Sequence, residues 1–535
     1  MYNRQRAFLI KKVAAEKKAA ATAAAASASR KKMPAVLGPR GYCLLKSDMT
    51  DSEQEYIRKK LTVSPTTMTI GSGSQVIEYP AYRESATRFY LPRHYAEPVY
   101  GPADTVTLGD GDTIADDIIF CGELRQEQFA PVELFMERIA AACGGGCLEL
   151  PCGFGKTTIS LNIFARLRRK TIVIVNKEYL LNQWVKRIQE FLPNARIGRL
   201  QCDRVEIEDK DIVIGMLQSI AKRNYPTGTF ASFGLSIFDE VHHMSSEVFS
   251  GALFKLVTKY TLGLSATMDR KDGTTFIFKY FLGDTIFSTG REEEHDVEVR
   301  ALQYVVNDAE FNKTETNTRG EPMYSTMVSK LCDYTPRCEF IVKTVRELVA
   351  EYPQKQILIL AHNKSLIKYL QEKLTEIDAE SVGLYVGGMK QHHLDASSAK
   401  KIIIGTYSMA SEGLDIKTLS ALVLATPKTD IVQVVGRILR LKDNSPIVID
   451  IVDKHDLFQN QWRKRRAYYK KCNYRIRIVK MANTRQINAS DAMNAMFGGG
   501  NSGEYSAKKI CDDDDDDSDD DDDDDQPRGI CTITR

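Results

Sequence analysis

The chain has no apolar run approaching the ~18 residues that a membrane-crossing helix needs, so no integral membrane protein and no membrane partner are expected. It also lacks a repeated cysteine framework. Its eleven cysteines, an odd number, are scattered from Cys43 to Cys531 and no apolar signal segment precedes them. An intracellular, reducing compartment fits that usage better than a disulfide scaffold. Cys143, Cys147 and Cys152 lie close together without a second Cys or His pair at zinc-finger spacing, and read as small buried thiols, as do Cys332 and Cys338. Residues 512–525 hold thirteen Asp and no Lys or Arg, whereas the first 33 residues hold a single acid, Glu16. Without the Asp tract, 73 basic residues face 58 acidic ones, so the formal net charge of +2 conceals a surplus of fifteen. A polyanionic partner is therefore favoured before any motif is read. A hydrophobic share of 43% with 27% charge excludes a wholly disordered or fibrous chain. A length of 535 residues allows about three to four domains.

Composition shifts divide the chain. Residues 1–37 form a basic, Ala-rich arm, which can imitate a transit peptide but reads better as a flexible segment. Residues 38–116 carry short mixed patterns with Pro and Tyr punctuation, such as Tyr79-Pro80-Ala81-Tyr82, and are expected to form a small α+β domain. From 117 to 290, short apolar runs (Leu148–Leu150, Thr171–Val175, Ile212–Met216, Leu235–Phe238, Thr261–Leu264) alternate with helical stretches such as Thr158–Leu167 and Glu178–Phe191. That alternation predicts an α/β fold with a parallel sheet covered on both faces. A polar stretch, 291–334, reads as a linker. The alternation restarts in 335–480, with Ile357–Leu360, Lys401–Ile404, Ala421–Ala425 and Ile447–Ile451. Residues 481–535 read as a disordered tail ending in the Asp-rich tract, whose like charges keep it solvated. That tract serves as a solubilising tail or as a mimic of nucleic acid.

Leu150-Pro151-Cys152-Gly153-Phe154-Gly155-Lys156-Thr157 follows an apolar run and opens a helical pattern, the context of a phosphate-binding loop. Glycines let backbone N–H groups turn towards phosphate oxygens, and the helix N-terminus adds its positive end. Lys156 is placed to reach the β and γ phosphates of ATP and Thr157 to ligate Mg²⁺. The loop departs from the common pattern in having Leu150 where a first Gly is usual. Further on, the apolar run Leu235–Phe238 ends in Asp239-Glu240-Val241-His242. Asp239 at a strand end suits a Mg²⁺ contact, and Glu240 suits orientation of an attacking water. In Gln433-Val434-Val435-Gly436-Arg437-Ile438-Leu439-Arg440, a helix puts Gln433, Arg437 and Arg440 on one face. Arginines from a second α/β unit that reach a γ-phosphate make hydrolysis depend on cleft closure. A solvated basic helix face is the blander alternative.

The order of these elements resembles the superfamily 2 helicases. The likeness is to the branch that holds XPB-type repair and transcription helicases and the helicases of large cytoplasmic DNA viruses, and it spans roughly residues 118–480. Leu124-Arg125-Gln126-Glu127-Gln128 stands where the family has its adenine-reading glutamine, which implies that role for Gln128. The loop at 150–156 and the DEVH box at 239–242 look like this branch's own versions. Ser265-Ala266-Thr267 is similar to the motif that, with His242, couples hydrolysis to nucleic-acid grip. Glu412-Gly413-Leu414-Asp415 resembles the fifth motif, placing Asp415 at the nucleotide, and Gln433–Arg440 fits the sixth. One departure is Arg270-Lys271-Asp272 where XPB-type proteins carry Arg-Glu-Asp, a reversed central charge. The resemblance implies two tandem RecA-like parallel-sheet domains, ATP and Mg²⁺ as cofactors, and a nucleic-acid strand held mostly through phosphates. Candidate contacts at strand ends are Asn176, Lys177, Gln218, Ser219, His362, Asn363 and Thr406. The later run Gln461–Arg477 interleaves cations with Trp462 and three tyrosines. It suits backbone grip with base stacking, or equally a packed helix with a solvated basic face.

The expectation is an ATP-dependent helicase or translocase acting on DNA ahead of RNA, in viral transcription or genome maintenance. Transcription or repair machinery are its expected partners, in a virion or host cytoplasm, with the nucleus as the alternative. The viral relatives implied include a poxvirus helicase acting in transcript release. An RNA-directed enzyme of the same superfamily and a nucleotide-regulated, non-catalytic scaffold remain open. A small-molecule kinase fits less well, since it leaves the second α/β unit without a role.

Overall fold

The computed structural model describes residues 33–64, 78–140, 144–151, 153–243, 247–268, 273–289, 296–376, 378, 380–412, 414, 416–439 and 445–481. Outside the described residues lie the basic arm to residue 32, Cys143, Cys152, the Arg270-Lys271-Asp272 element, Gly413, Asp415, Arg440 and the Asp-rich tail.

The first α/β unit is built on an eight-stranded sheet. Its spatial order is Arg204–Val205, Ile197–Gln201, Ile212–Met216, Thr171–Val175, Leu235–Phe238, Tyr260–Ser265, Gly145–Glu149 and Thr285–Ser288. All pairings are parallel except the short Arg204–Val205 edge strand. Thr171–Val175, Ile212–Met216 and Leu235–Phe238 are buried along their whole length, which is why they read as unbroken apolar runs and not as alternating ones. One core lies on each face of the sheet. Val173, Trp184 and Leu264 belong to the first; Ile172, Phe238 and Phe278 belong to the second.

The second unit carries a seven-stranded, all-parallel sheet. Its order is Val382–Tyr385, Ile402–Thr406, Gln356–Ala361, Leu419–Leu424, Ile447–Asp453, Glu298–Tyr304 and Arg475–Met481. The polar stretch assigned to a linker therefore contains an internal strand, Glu298–Tyr304, paired on both sides. Its polarity is deceptive because Arg300, 3% exposed, faces inward and is neutralised by Glu298 and Glu351, with Tyr352 accepting a further hydrogen bond. In the tandem parallel sheets the fold is RecA-like in both units, as expected.

The N-terminal domain begins at Ala35, slightly before the expected boundary, because Ala35–Gly38 pairs with Gly41–Leu45. Its five-stranded sheet is joined by the helix Asp51–Lys60. There the Thr50 hydroxyl accepts from Glu53 N and the Glu53 carboxylate accepts from Thr50 N, a reciprocal cap. The domain packs on the first unit. The Tyr95 and Tyr280 rings lie 4.9 Å apart, the Arg83 guanidinium sits 5.3 Å above the Phe254 ring, and Arg93 donates to the Lys259 carbonyl at 3.1 Å. These contacts brace the first unit.

Candidate active site

The phosphate loop joins the strand Gly145–Glu149 to the helix Lys156–Leu167. Leu150, expected as the loop's first residue, is fully buried in the core, and its N–H donates to the Ser265 carbonyl at 2.8 Å. A side chain there ties the loop's root to the sheet, which is what a glycine at this position would forgo. The turn proper starts with Phe154 N donating to the Pro151 carbonyl. Gly153 and Gly155 have φ of 85° and 91°, in the left-handed region that glycine enters without strain. A Cβ on Gly155 would also lie 2.2 Å from Nε2 of Gln128.

Gln128 is 2% exposed. Its Oε1 accepts from Arg125 N at 2.9 Å and its Nε2 donates to the Phe154 carbonyl at 2.6 Å. Arg125 donates to the carbonyls of Gly153 and Phe154 at 3.0 and 2.5 Å. The residue expected to read adenine here clamps the phosphate loop, together with an arginine that the sequence motif did not single out.

Lys156 and the acidic pair are brought together from the ends of two parallel strands that flank Tyr260–Ser265. Lys156 Nζ lies 2.6 Å from Glu240 Oε1, with both side chains almost wholly enclosed. Asp239 Oδ2 accepts from Trp184 Nε1 at 2.9 Å, and its Oδ1 accepts from Glu240 N at 3.0 Å. Trp184 is a second missed residue. The signal was present, since Leu180, Leu181, Trp184 and Ile188 form one buried stripe and a buried indole N–H needs an acceptor. Burial, reinforced by the neighbouring Glu240 charge, pushes the Asp239 carboxyl up to about 6. Burial acts on Glu240 too, but the Lys156 ammonium outweighs it and holds that carboxyl below its ordinary value. Glu240 has φ of 52°, an uncommon backbone conformation for a non-glycine residue.

Glu240 Oε2 is buried with no hydrogen-bond partner among the described residues and lies 3.4 Å from His242 Nδ1. Among the described residues no group of three or more His, Cys, Asp or Glu forms a metal cluster. The oxygen donors of Thr157 and Asp239 fit a hard cation of the Mg²⁺ type, which keeps most of its waters and shares phosphate oxygens.

His242 joins the two units. Ser265 donates its hydroxyl proton to the Thr267 carbonyl, so its Oγ accepts from Nδ1–H of His242 at 2.7 Å. That leaves Nε2 of His242 to accept from the Gln433 amide of the second unit at 3.3 Å. Gln433 lies on a helix of only four residues, Val432–Val435. Arg437 N and Ile438 N then donate to the carbonyls three residues back, so the expected regular helix through 440 gives way to a tighter turn. Arg437 is 9% exposed and its Nε donates to the Ala410 carbonyl at 3.0 Å. It is therefore enclosed, and is not part of a solvated basic helix face.

The candidate nucleic-acid contacts fall at the expected strand ends. In the first unit, Gln218 donates to the Asn176 carbonyl at 3.1 Å, Lys177 is exposed, and Ser219 Oγ accepts from Cys202 N. In the second, His362 shares a 2.7 Å hydrogen bond with Thr426 Oγ1, and Asn363 donates to Ser329 Oγ at 3.1 Å. Thr406 and Ser408 hydroxyls lie 3.3 Å apart. Val175 pairs with Met216 and Ala361 with Thr406, so each unit groups its own candidates on adjacent strands. The aromatics of the later basic run do not join them. Trp462, Tyr469 and Tyr474 are buried, so that run is a packed helix with a basic outer face and offers no stacking platform.

The family model described as "Type III restriction enzyme, res subunit" matches residues 122–270. The chain is similar to the putative ATP-dependent RNA helicase L396 of Acanthamoeba polyphaga mimivirus, with 33% identity over 445 residues, 82% of this chain and 85% of that protein. It is 27% identical over 371 residues to the putative ATP-dependent RNA helicase QP509L of African swine fever virus, 64% of this chain and 72% of that one. Among solved structures, a single-residue variant of S. cerevisiae Dbp5 bound to RNA and ADP BeF3 has 15% identity and a TM-score of 0.48, covering 72% of this chain and 97% of that one.

Proposed function

We infer, from the premise that this chain belongs to the superfamily 2 helicases and within them to the ATP-dependent helicases of large DNA viruses, that the cleft between its two α/β units hydrolyses ATP to move along nucleic acid. The observation that carries this reading is the composite site. Lys156 and Glu240 come from the first unit as a 2.6 Å pair, and the Gln433 amide of the second lies 3.3 Å from His242, whose Nδ1 is 3.4 Å from Glu240.

In the proposed cycle, Lys156 leaves Glu240 for the β and γ phosphates. Glu240, an ionised carboxylate freed of its partner, then orients the attacking water. Arg437 stabilises charge that develops on the γ-phosphate, which ties turnover to closure of the cleft. Thr157 and Asp239 would hold Mg²⁺, whose chemistry is neutralisation of phosphate charge. The hydrogen-bonded chain Thr267–Ser265–His242–Gln433 spans both units, so a shift in one unit is felt in the other.

The substrate is proposed to be a strand lying over the Asn176/Gln218 and His362/Thr406 strand ends, gripped through phosphates with little sequence preference. Two readings of its chemistry make opposite forecasts. The XPB-type resemblance favours DNA and a role in viral transcription or genome maintenance; the relatives' own designation as RNA helicases favours RNA. ATPase rates with single-stranded and duplex forms of each decide between them. In all cases nucleic acid is expected to stimulate turnover, and Lys156→Ala or Glu240→Gln to lower it by ~10²–10³-fold. Turnover left intact in either variant would sink the site assignment.

A further inference from the structure

The helix Asp456–Lys471 closes the second unit, packed between the strands Ile447–Asp453 and Arg475–Met481. Phe458, Trp462, Arg465 and Tyr469 are buried on one side. At 100° per residue they span an arc of about 60°. Arg463, Lys464, Lys470 and Lys471 are exposed and lie about 110–150° from the centre of that arc, while Arg466, also exposed, flanks it about 40° from Trp462.

These five cations differ from others on the surface of the same molecule. Arg58 pairs with Glu84, Arg166 with Glu133 and Lys373 with Glu376. Among the described residues, no carboxylate pairs with any of the five; Arg463 has only a hydrogen bond to the Asn460 amide oxygen. Their neighbour Arg465, on the buried side, is neutralised by Asp450. A helix that needed cations only to complement its C-terminal dipole would place them in its last turn. Here the run begins at Arg463, two turns earlier.

Five unneutralised charges over nine residues occupy about 12 Å of helix axis. A nucleic-acid duplex carries one phosphate charge per ~1.7 Å of its own axis, so a segment of that length offers several phosphates to such a row. The outer side carries no exposed aromatic or large aliphatic residue to anchor a protein partner, because Trp462 and Tyr469 are buried and Tyr468, at its margin, packs partly buried against the core. Base stacking is excluded for the same reason.

We propose that the outer face of the Asp456–Lys471 helix is a second nucleic-acid surface, separate from the strand ends of the cleft, which holds the phosphodiester backbone of the substrate without reading its bases. This rests on the nucleic-acid reading of the cleft. Its role is to keep the substrate tethered while the cleft opens and closes. The five side chains touch neither the nucleotide site nor the sheet, so removing their charge leaves the motor intact.

The test is equilibrium binding of labelled single-stranded and duplex RNA and DNA to the full-length protein across a series of KCl concentrations. A variant carrying Arg463→Gln, Lys464→Gln, Arg466→Gln, Lys470→Gln and Lys471→Gln is compared with the native chain. The plot of log K against log[salt] is expected to become shallower by about 0.9 for each duplex phosphate that is no longer neutralised, or about 0.7 on a single strand. Basal ATPase and thermal midpoint are expected to stay unchanged. Whichever of the four nucleic acids shows the larger change in slope is the source of the phosphates. A slope identical to the native one, with the native chain binding normally, overturns this surface alone. A native chain that binds none of the four nucleic acids overturns the cleft reading with it. As a second check, Gln218→Ala is expected to lower nucleic-acid-stimulated turnover while retaining most of the native salt slope. A slope abolished in Gln218→Ala would place all phosphate binding in the cleft and remove the need for the helix face.

Discussion

Two regions of this protein bury an ion pair, and they do so in opposite ways. In the second unit, Asp450 holds Arg465 through both carboxylate oxygens at 2.7 and 2.8 Å, Tyr469 donates to Asp450 at 3.0 Å, and the remaining guanidinium nitrogen donates to the Lys428 carbonyl. In the cleft, Lys156 meets one oxygen of Glu240 while the other has no hydrogen-bond partner among the described residues. Glu240 also holds a positive φ, and Asp239 beside it is pushed towards the neutral form. A buried charge satisfied on every side fixes structure. A buried charge left with an open oxygen and a strained backbone, of the kind that costs ~1–3 kcal/mol, is poised to change partners.

The largest test of this contrast removes the second unit's arginine proposed to meet the γ-phosphate. Arg437→Ala is expected to retain nucleotide binding and lose ~10³–10⁵-fold in hydrolysis, read as single-turnover rates against nucleotide affinity. Retained hydrolysis would return Arg437 to a structural class with Arg465. The reverse test cuts the closed pair. Asp450→Ala strands the Arg465 charge in the core and is expected to cost about 3–5 kcal/mol in urea unfolding, with the ATPase rate per folded molecule preserved. If instead activity falls and stability does not, the division between the two regions is wrong.

A smaller effect is expected at the hinge between the units. Gln433→Ala removes one interunit hydrogen bond, worth about 0.5–1.5 kcal/mol. It should reduce the stimulation of ATPase by nucleic acid several-fold and leave the basal rate nearly unchanged. An equal drop in both rates would make Gln433 part of the chemistry and not of the coupling.

The smallest effect concerns His362. Burial, and then the Lys428 charge, lower its imidazole to about 4 from the usual 6.5. The folded state thus binds fewer protons than the unfolded state between those values. The contribution of His362 to stability is complete above pH 6.5 and is lost as pH falls towards 4. His362→Gln should flatten that part of the urea midpoint against pH, by a modest amount because the ring is partly solvated. An unchanged profile would mean that the imidazole ionises freely, and the rim would then gain a cation for phosphate binding.

How much was legible before the fold is clearest from particular elements. Thr171–Val175 and Ile212–Met216 emerged at their true bounds because parallel strands buried on both faces leave an uninterrupted apolar signature. The strand Glu298–Tyr304 did not, because its charged residues are neutralised by groups about fifty residues away in sequence. The helix expected through Arg440 stops at Val435, since a 3.6-residue spacing in the sequence does not reveal a switch to three-residue turns.

The candidate site residues were legible in local sequence alone. Lys156, Asp239, Glu240, His242 and Gln433 each sit in a short motif whose order carries its own meaning, because phosphate binding and water orientation need particular groups at strand ends. What only the tertiary structure decided is which of these groups touch, and with what charge. Trp184 bonding Asp239, Gln128 and Arg125 clamping the phosphate loop, and Gln433 meeting His242 across two units all join residues tens to nearly two hundred positions apart. Burial, which sets both the raised Asp239 and the unpartnered oxygen of Glu240, is a property of the closed fold, and no linear order of residues encodes it.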